Sequence, residues 1–179
     1  ISDKYNVKSY DSLEALLSDC DAVTIVTPTD THFNVASDCL TAGKHVFIEK
    51  PITKSVAEAE QLLTLANTNE VLIQVGHIER LNPALVPLKN YSISPKYIEI
   101  QRLAPYDVRG TDVPVVLDKM IHDIDILLFL VNSEVESIDA NGISILTDSI
   151  DIANARIRFK NGTIANLTSS RVAQDHVRK

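Results

Sequence analysis

Asp118 and His122 stand four residues apart in a long, mostly apolar segment, and their types and spacing suit proton transfer. On an α-helix they would share one stripe with Asp125, where burial costs free energy unless the groups are paired or functional. Imidazole titrates near neutral pH, so His122 is a candidate general base that Asp118 could orient. A salt-bridged stripe at the helix surface is the alternative for an isolated Asp-x-x-x-His. A metal site is weaker still, because no convincing further ligand cluster accompanies the pair, and we predict none.

A second group of polar residues follows three apolar runs that are typical of buried strands. The runs are residues 22–26, 45–48 and 71–75. Thr27-Pro28, Glu49-Lys50-Pro51 and Gly76-His77 come directly after them. Because ligands bind beyond the carboxyl ends of the strands in open parallel sheets, we expect these residues to share one rim. A surface ion pair followed by a turn proline is the alternative for Glu49-Lys50-Pro51 alone.

Predicted helices separate these runs. Asp11-Ser12-Leu13-Glu14 and Ser55-Val56-Ala57-Glu58 have the spacing of capping boxes, which open helices. A further helix is predicted from about His32 to Ala42, where Gly43 supplies a left-handed stop. Helices that alternate with buried strands predict right-handed crossovers in a parallel sheet of Rossmann type.

The pattern changes after Pro83. Residues 97–103 alternate between apolar and polar, as a strand with one wet face does, and a long helix is predicted from about Val115 to Val131. Residues 153–159 alternate again, and Asn161-Gly162 turns the chain into a strand over residues 163–169. We therefore predict an α/β protein with two domains. Residues 1–80 form an incomplete Rossmann-type parallel sheet domain, and residues 81–179 form an α+β domain with an open, largely antiparallel sheet.

Taken together, the motifs resemble the glucose-fructose oxidoreductase / inositol dehydrogenase / MocA family of nicotinamide-dependent oxidoreductases. The resemblance is carried by residues 22–28 (AVTIVTP) with His32, 42–51 (AGKHVFIEKP), 76–83 (GHIERLNP) and 118–123 (DKMIHD). It covers nearly the whole chain. It implies a dehydrogenase that oxidises a secondary alcohol of a sugar with NAD or NADP as cofactor.

The resemblance also implies roles for individual residues. Three would act in catalysis: His122 as the base, Asp118 as its partner, and Lys50 as the cation that faces the developing alkoxide. The cofactor side of the pocket would be formed by Thr27, Pro28, His32, Glu49 and Lys50. The substrate side would be formed by His77, Arg80, Asn82 and Arg109. A capping role before Pro83 is the alternative for Asn82.

The expected substrate is a sugar or nucleotide sugar. Residues 77–83, 102–106 and 110–112 resemble the branch of the family that includes UDP-N-acetylglucosamine 3-dehydrogenases. Four arginines could bind a diphosphate through guanidinium forks, although each alone is more often a surface residue: Arg80, Arg102, Arg109 and Arg171. The alternatives are a dehydrogenase of inositol or of a free sugar, and a catalytically silent sugar- or nucleotide-binding relative.

The glycine-rich G-x-G-x-x-G/A turn of that family has no counterpart in these 179 residues. The backbone of such a turn and the helix N-terminus behind it bind the cofactor pyrophosphate. In a complete family member the turn would precede residue 1. We therefore expect these residues by themselves to hold NAD poorly.

Composition limits the partners. A net charge of −7 disfavours nucleic acid, because a polyanion needs clustered cations. No apolar run is long enough to span a bilayer and no signal pattern opens the chain, so we predict a cytoplasmic protein without a membrane partner, with Cys20 and Cys39 reduced. A homodimer or homotetramer is expected because a sheet face of the second domain needs covering. Its small or polar residues are Ala153, Ala155, Asn166, Thr168 and Ser170.

Overall fold

The computed structural model describes residues 2–108 and 111–179, apart from the Lys89 side chain. The chain forms two compact units, one ending at Gly76 and the other beginning at His77. The elements of the first unit are α1 (Ser2–Tyr5), α2 (Leu13–Ser18), β1 (Ala22–Ile25), α3 (Thr29–Thr41), β2 (His45–Ile48), α4 (Val56–Thr68) and β3 (Ile73–Val75). Among the described residues, no helix is long and apolar enough to cross a membrane.

The first unit is built on a three-stranded parallel sheet in the order β1-β2-β3. Its core cluster joins alternate strand residues such as Ile25 and Ile48 to Leu40 of α3 and Leu62 of α4. The side chains that point the other way on the strands are more exposed, Ala22 and Thr24 among them. This is the predicted Rossmann-type arrangement of parallel strands with helical crossovers.

Local signals in the sequence position the helices of this unit. Ser55 and Glu58 form the predicted capping box at α4, and Gly43 has the predicted left-handed conformation with φ of 71°. The cap of α2 is Ser12, one residue after the start of the predicted motif. Helix α3 begins at Thr29, earlier than the predicted His32, because Pro28 fixes the chain entry and the Thr31 hydroxyl bonds the Pro28 carbonyl.

The second unit is built on a five-stranded sheet in the order β5-β6-β7-β4-β8. Only the β4 and β7 pair is parallel, so the sheet is mixed and largely antiparallel, as predicted. Its elements are 3-10 turns at Ile78–Leu81 and Val86–Asn90, β4 (Tyr97–Leu103), a π-helical segment (Val116–Met120), α5 (Ile121–Val131), β5 (Val135–Ile143), β6 (Ile152–Phe159), β7 (Ile164–Ser170) and β8 (Val177–Arg178).

The prediction of a single long helix over residues 115–131 is wrong for its first part. Val116–Met120 forms a π-helical segment, in which the Ile121 N–H donates to the Val116 carbonyl, and regular α-helix begins only at Ile121. Val115 and Met120 are both buried although they lie five residues apart. Residues five apart lie on nearly the same side of a π-helix but on different sides of an α-helix. The wider π turn therefore allows both side chains to be buried.

The prediction about the open face of the second sheet is also wrong for some of its residues. Ala153 and Ala155 lie in the core with Leu127 and Val131 of α5 packed in the same cluster. Because side chains alternate along a strand, the exposed residues of β6 lie on the other face, and they are Asn154, Arg156 and Arg158. There Asn154 donates to the Thr168 hydroxyl at 2.9 Å, and Asn166 donates to the Tyr97 hydroxyl at 2.9 Å.

A buried ion pair ties together three segments of the second unit. Arg171 Nε donates to Asp151 Oδ1 at 2.7 Å, and its other nitrogens bond the Val113 carbonyl and the hydroxyls of Thr147 and Ser149. Both side chains are almost inaccessible. Burial raises the pKa of Asp151, but backbone N–H groups such as that of Ile145, together with the guanidinium, outweigh it and hold the pKa well below its ordinary value.

We expect Arg171→Met to lower the melting temperature by roughly 6–20 °C, because it leaves a buried carboxylate without its cation. Lys160→Met is the control: Lys160 pairs with Glu134 at the surface, so its melting temperature should stay within about 2 °C of wild type. Circular dichroism during heating measures both.

Equal melting temperatures for the two variants would show that the buried pair contributes no more than the exposed one. Since the pKa of Asp151 is depressed on folding, its contribution is present above its unfolded value of about 4 and is lost as the pH falls further. The stability gap between wild type and Asp151→Asn should therefore narrow in acid.

Candidate active site

The three parallel strands of the first unit end in step. The Glu49 N–H donates to the Ile25 carbonyl at 3.0 Å, and the Gly76 N–H donates to the Ile48 carbonyl at 2.8 Å. These bonds continue the ladder by one residue beyond β2 and β3. The residues that follow the strands therefore leave the sheet at one edge, as the sequence predicted for Thr27, Glu49 and Gly76.

Gly76 makes room for Glu49. A Cβ atom at Gly76 would lie 3.3 Å from the Phe47 ring and 3.4 Å from the carboxyl carbon of Glu49. The Glu49 carboxylate also accepts from the Lys50 N–H at 3.3 Å. The absence of a Cβ atom at position 76 thus leaves room for the Glu49 carboxylate beside the end of β3.

His32 joins two of the loops at this edge. Its Nδ1 lies 2.9 Å from the Pro51 carbonyl oxygen, and its Nε2 lies 2.9 Å from the Thr27 carbonyl oxygen. The side chain is buried in α3, with 1% of its surface exposed. The ring therefore bridges the loop after β1 and the loop after β2.

The hydroxyl of Thr31 completes the loop after β1. It lies 2.8 Å from the Thr27 hydroxyl and 2.8 Å from the Pro28 carbonyl. Pro28 is the N-cap of α3 and provides no side-chain hydrogen bond to the helix. Thr27 and Pro28 are exposed, and Lys50 is half-buried at the end of β2. The predicted cofactor residues Thr27, Pro28, His32, Glu49 and Lys50 therefore belong to one edge of one sheet.

In the second unit, Asp118 and His122 lie on either side of the change from π to α geometry. Asp118 belongs to the π-helical segment and its carboxylate lies 3.2 Å from Lys119 Nζ. His122 lies in the first turn of α5 and is half-buried. The two side chains thus occupy adjacent turns at the start of one helical stretch.

Asp125 has a salt-bridge partner. Arg80 holds it through Nε–Oδ2 at 2.6 Å and Nη2–Oδ1 at 2.5 Å, and the His77 Nδ1 lies 3.8 Å from Asp125 Oδ1. The carboxylate raises the pKa of the Arg80 guanidinium. Asp125 is therefore a salt-bridged group, which is the alternative that the sequence left open for this stripe. Arg80 and His77, two predicted substrate residues, are brought together around it.

A second ion pair on the same helix was not predicted from the sequence. Arg102 of β4 donates to Asp123 through Nε at 2.9 Å and Nη2 at 2.6 Å, and Glu79 lies 3.9 Å from its Nη1. Asp123 is buried, unlike its neighbour His122. The only sequence signal was an acidic residue in an apolar helix, which does not identify a partner in a distant strand.

The remaining predicted residues have different surroundings. Asn82 accepts from the Ala84 N–H at 3.0 Å and donates to Glu79 at 3.4 Å, local contacts that suit the capping role considered as its alternative. Arg171 is committed to the buried pair with Asp151. Arg109 lies outside the described residues. No group of three His, Cys, Asp or Glu side chains suited to a metal ion occurs in the described parts of the chain.

Comparison with protein families gives matches over both units. The model of an oxidoreductase family with an NAD-binding Rossmann fold, GFO/IDH/MocA, matches residues 1–77. The model of the GFO/IDH/MocA C-terminal domain matches residues 106–178.

Individual relatives agree with these matches. UDP-N-acetylglucosamine 3-dehydrogenase of Acidithiobacillus ferrooxidans is 42% identical over 173 residues, which are 96% of this chain and 55% of the relative. A solved structure of that enzyme superposes with a TM-score of 0.92 at 40% identity and covers 99% of this chain and 59% of its own. Myo-inositol 2-dehydrogenase of Thermotoga maritima is 29% identical over 93% of this chain and 55% of its own length. The chain thus spans about half the length of these relatives.

We expect Gly76→Ala in the full-length protein to weaken binding at the strand-end edge by roughly 3- to 10-fold, because the added Cβ displaces Glu49 and Phe47 by a few tenths of an ångström. Calorimetric titration with NAD measures the effect.

Gly43→Ala is the matched control: its φ of 71° strains an alanine, but nothing lies within 4 Å of the new Cβ. It should lower the melting temperature by a few degrees and leave the affinity unchanged. Unchanged NAD affinity in Gly76→Ala would show that Glu49 does not contribute to the binding site.

Proposed function

The chain belongs to the GFO/IDH/MocA oxidoreductase family, and from that premise we propose that the protein oxidises a secondary alcohol of a sugar or nucleotide sugar with a nicotinamide cofactor. The observation that carries the proposal is the strand-end edge of the first unit, where Thr27, Glu49 and Lys50 follow parallel strands that end in step. Ligands of open parallel sheets bind at such an edge.

The residues at this edge fit a nicotinamide nucleotide. A threonine hydroxyl, a carboxylate and an ammonium group are hydrogen-bond partners for ribose hydroxyls, and Gly76 provides the space in which the carboxylate lies. Thr27, Pro28, Glu49 and Lys50 would hold the cofactor on this side. When bound, the nicotinamide supplies a hydride acceptor.

The chain's own residues would handle the proton and the charge. His122 takes the proton from the substrate hydroxyl, because a neutral imidazole accepts a proton near neutral pH. Lys50 stabilises the negative charge that develops on that oxygen. Asp118 orients the imidazole of His122, a role that its place one turn earlier in the same helical stretch supports.

The substrate we favour is a nucleotide sugar, specifically UDP-N-acetylglucosamine oxidised at C3. The support is the 42% identity with an enzyme of that name, against 29% for the inositol 2-dehydrogenase. Arg80 is half-exposed although it grips Asp125, and its free edge with His77 and Asn82 would face the substrate. An inositol or free-sugar dehydrogenase is the second candidate, and a silent binding relative is the third.

We expect His122→Asn in the full-length protein to lower kcat by about 10²–10⁴-fold, the usual contribution of a positioned general base, with substrate and NAD still bound. Lys50→Met should reduce turnover and ligand affinity together, since its charge faces an oxygen present before and during the reaction. Asp118→Asn should resemble His122→Asn in milder form. Steady-state kinetics, calorimetry and melting temperatures on each variant give the three readouts.

Asp123→Asn is the matched control for His122→Asn, because it changes the adjacent residue and weakens a buried pair with Arg102. Asp123→Asn should lower the melting temperature and retain near-normal kcat in the folded protein. If His122→Asn also retains near-normal kcat, His122 is not the base.

A second prediction concerns the substrate. The full-length protein should reduce NAD when offered UDP-N-acetylglucosamine, and absorbance at the NADH band follows the reaction. A panel of other nucleotide sugars, free hexoses and inositols sets the comparison. Turnover of inositol without turnover of any nucleotide sugar would contradict the substrate and leave the reaction class in place. No turnover of any alcohol in the panel would favour the silent relative.

We also propose that the uncovered face of the second sheet makes a subunit interface in a homodimer or homotetramer. Its support is the row of polar side chains Asn154, Arg156, Asn166 and Thr168, which lie on the side of the sheet that faces away from the core cluster. Light scattering at micromolar concentration should return a multiple of the subunit mass. Asn154→Lys with Thr168→Glu should shift that mass downward, and a strict monomer in the wild type would contradict the interface.

A further inference from the structure

Both polar atoms of the His32 ring face carbonyl oxygens. Nδ1 lies 2.9 Å from the Pro51 oxygen and Nε2 lies 2.9 Å from the Thr27 oxygen, with 1% of the residue exposed. A carbonyl oxygen only accepts, so each contact is a hydrogen bond only when that ring nitrogen carries a hydrogen. A neutral ring carries one such hydrogen and donates to one of the two carbonyls, whereas a protonated ring donates to both. In either form the ring lies between the two backbone groups, and neither nitrogen points toward a ligand.

The two carbonyls belong to the segments that carry the proposed site. Pro51 follows Lys50 directly, so fixing the Pro51 carbonyl limits the directions in which the Lys50 side chain leaves the backbone. The Thr27 carbonyl belongs to the residue whose hydroxyl stands at the end of β1. Helix α3 is long and packs in the core through Leu40 and Cys39, so the ring is held by a rigid element.

We propose that His32 is a positioning residue that acts through the two loops: its ring holds the loop that carries Lys50 and the loop that carries Thr27 at a fixed separation. This inference rests on the proposed function of Lys50 and Thr27. It changes the role expected from the sequence, in which His32 itself formed part of the cofactor pocket. A ring that is buried and doubly engaged contributes by fixing the distance between the loops.

Two substitutions separate the two bonds in the full-length protein. The amide nitrogen of asparagine stands close to the place of the imidazole Nδ1, and that of glutamine stands close to the place of Nε2. His32→Asn therefore retains a donor toward Pro51 and loses the one toward Thr27, whereas His32→Gln does the reverse. His32→Leu removes both donors.

His32→Asn should keep kcat within about 3-fold of wild type and raise the dissociation constant of NAD by roughly 10-fold, because only the Thr27 side is released. His32→Gln, which releases the loop that carries Lys50, should lower kcat by roughly 10- to 100-fold and also weaken NAD binding, because Lys50 contributes to both. His32→Leu should show both losses. Cys39→Ala, a buried change on the same helix away from the loops, should lower the melting temperature alone.

Equal changes in kcat and NAD affinity in the asparagine and glutamine variants, or changes in melting temperature alone, would overturn the inference. Lys50→Met, measured alongside, separates this failure from that of the proposed function. Normal turnover in Lys50→Met refutes the function, whereas a large loss in Lys50→Met without the split at His32 refutes only the positioning role.

A measurement on the wild-type protein does not depend on the variants folding. With histidine labelled by ¹⁵N, the His32 ring should give an N–H resonance that exchanges slowly with solvent, because its hydrogen is bonded to a buried carbonyl. Rapid exchange of the His32 ring hydrogens would overturn the inference even if every variant proved insoluble.

Discussion

Parallel pairing of β1, β2 and β3 is the constraint on which the first unit depends, because parallel strands that end in step release their loops at one edge. Thr27, Glu49 and Lys50 lie directly at that edge, and the His32 side chain reaches it from α3. The helices on one face supply the apolar core, and α3 also supplies His32, which holds two of the loops. The arrangement separates the parts that provide stability from the parts that provide chemistry, although both come from the same two crossovers.

Much of this unit was predictable because its signals are local. A capping box, a glycine stop and short β-branched runs act over a few residues, and each appears where the sequence placed it, with helix α3 starting only three residues early. The bridge made by His32 was not predictable, since its partners are backbone carbonyls that any sequence possesses. Only the folded chain determines which of them lie within hydrogen-bond distance of an imidazole.

The second unit shows why acidic residues in an apolar helix are hard to interpret from sequence. Asp118, Asp123 and Asp125 are acidic residues of one mostly apolar stretch, yet they lie beside Lys119, Arg102 and Arg80 respectively. Two of these partners come from other elements, so their pairing is a property of the tertiary fold. Arg171 gives the same lesson in reverse, because a residue type common at surfaces is here buried against Asp151, with further hydrogen bonds to the Val113 carbonyl and to the hydroxyls of Thr147 and Ser149.

The π-helical segment before α5 adds one residue to a turn, and it thereby acts as an angular offset between the two parts of the helix. The π-helical segment and the α-helix follow different pitches, so Asp118 points in a different direction relative to Asp123 and Asp125 than it would in a continuous α-helix. Removing a single residue from Val116–Met120 would restore one pitch throughout and rotate Asp118 away from its present bearing while the ion pairs of α5 stayed in place. The number of residues in that turn, and not only their identity, is therefore part of what the sequence specifies.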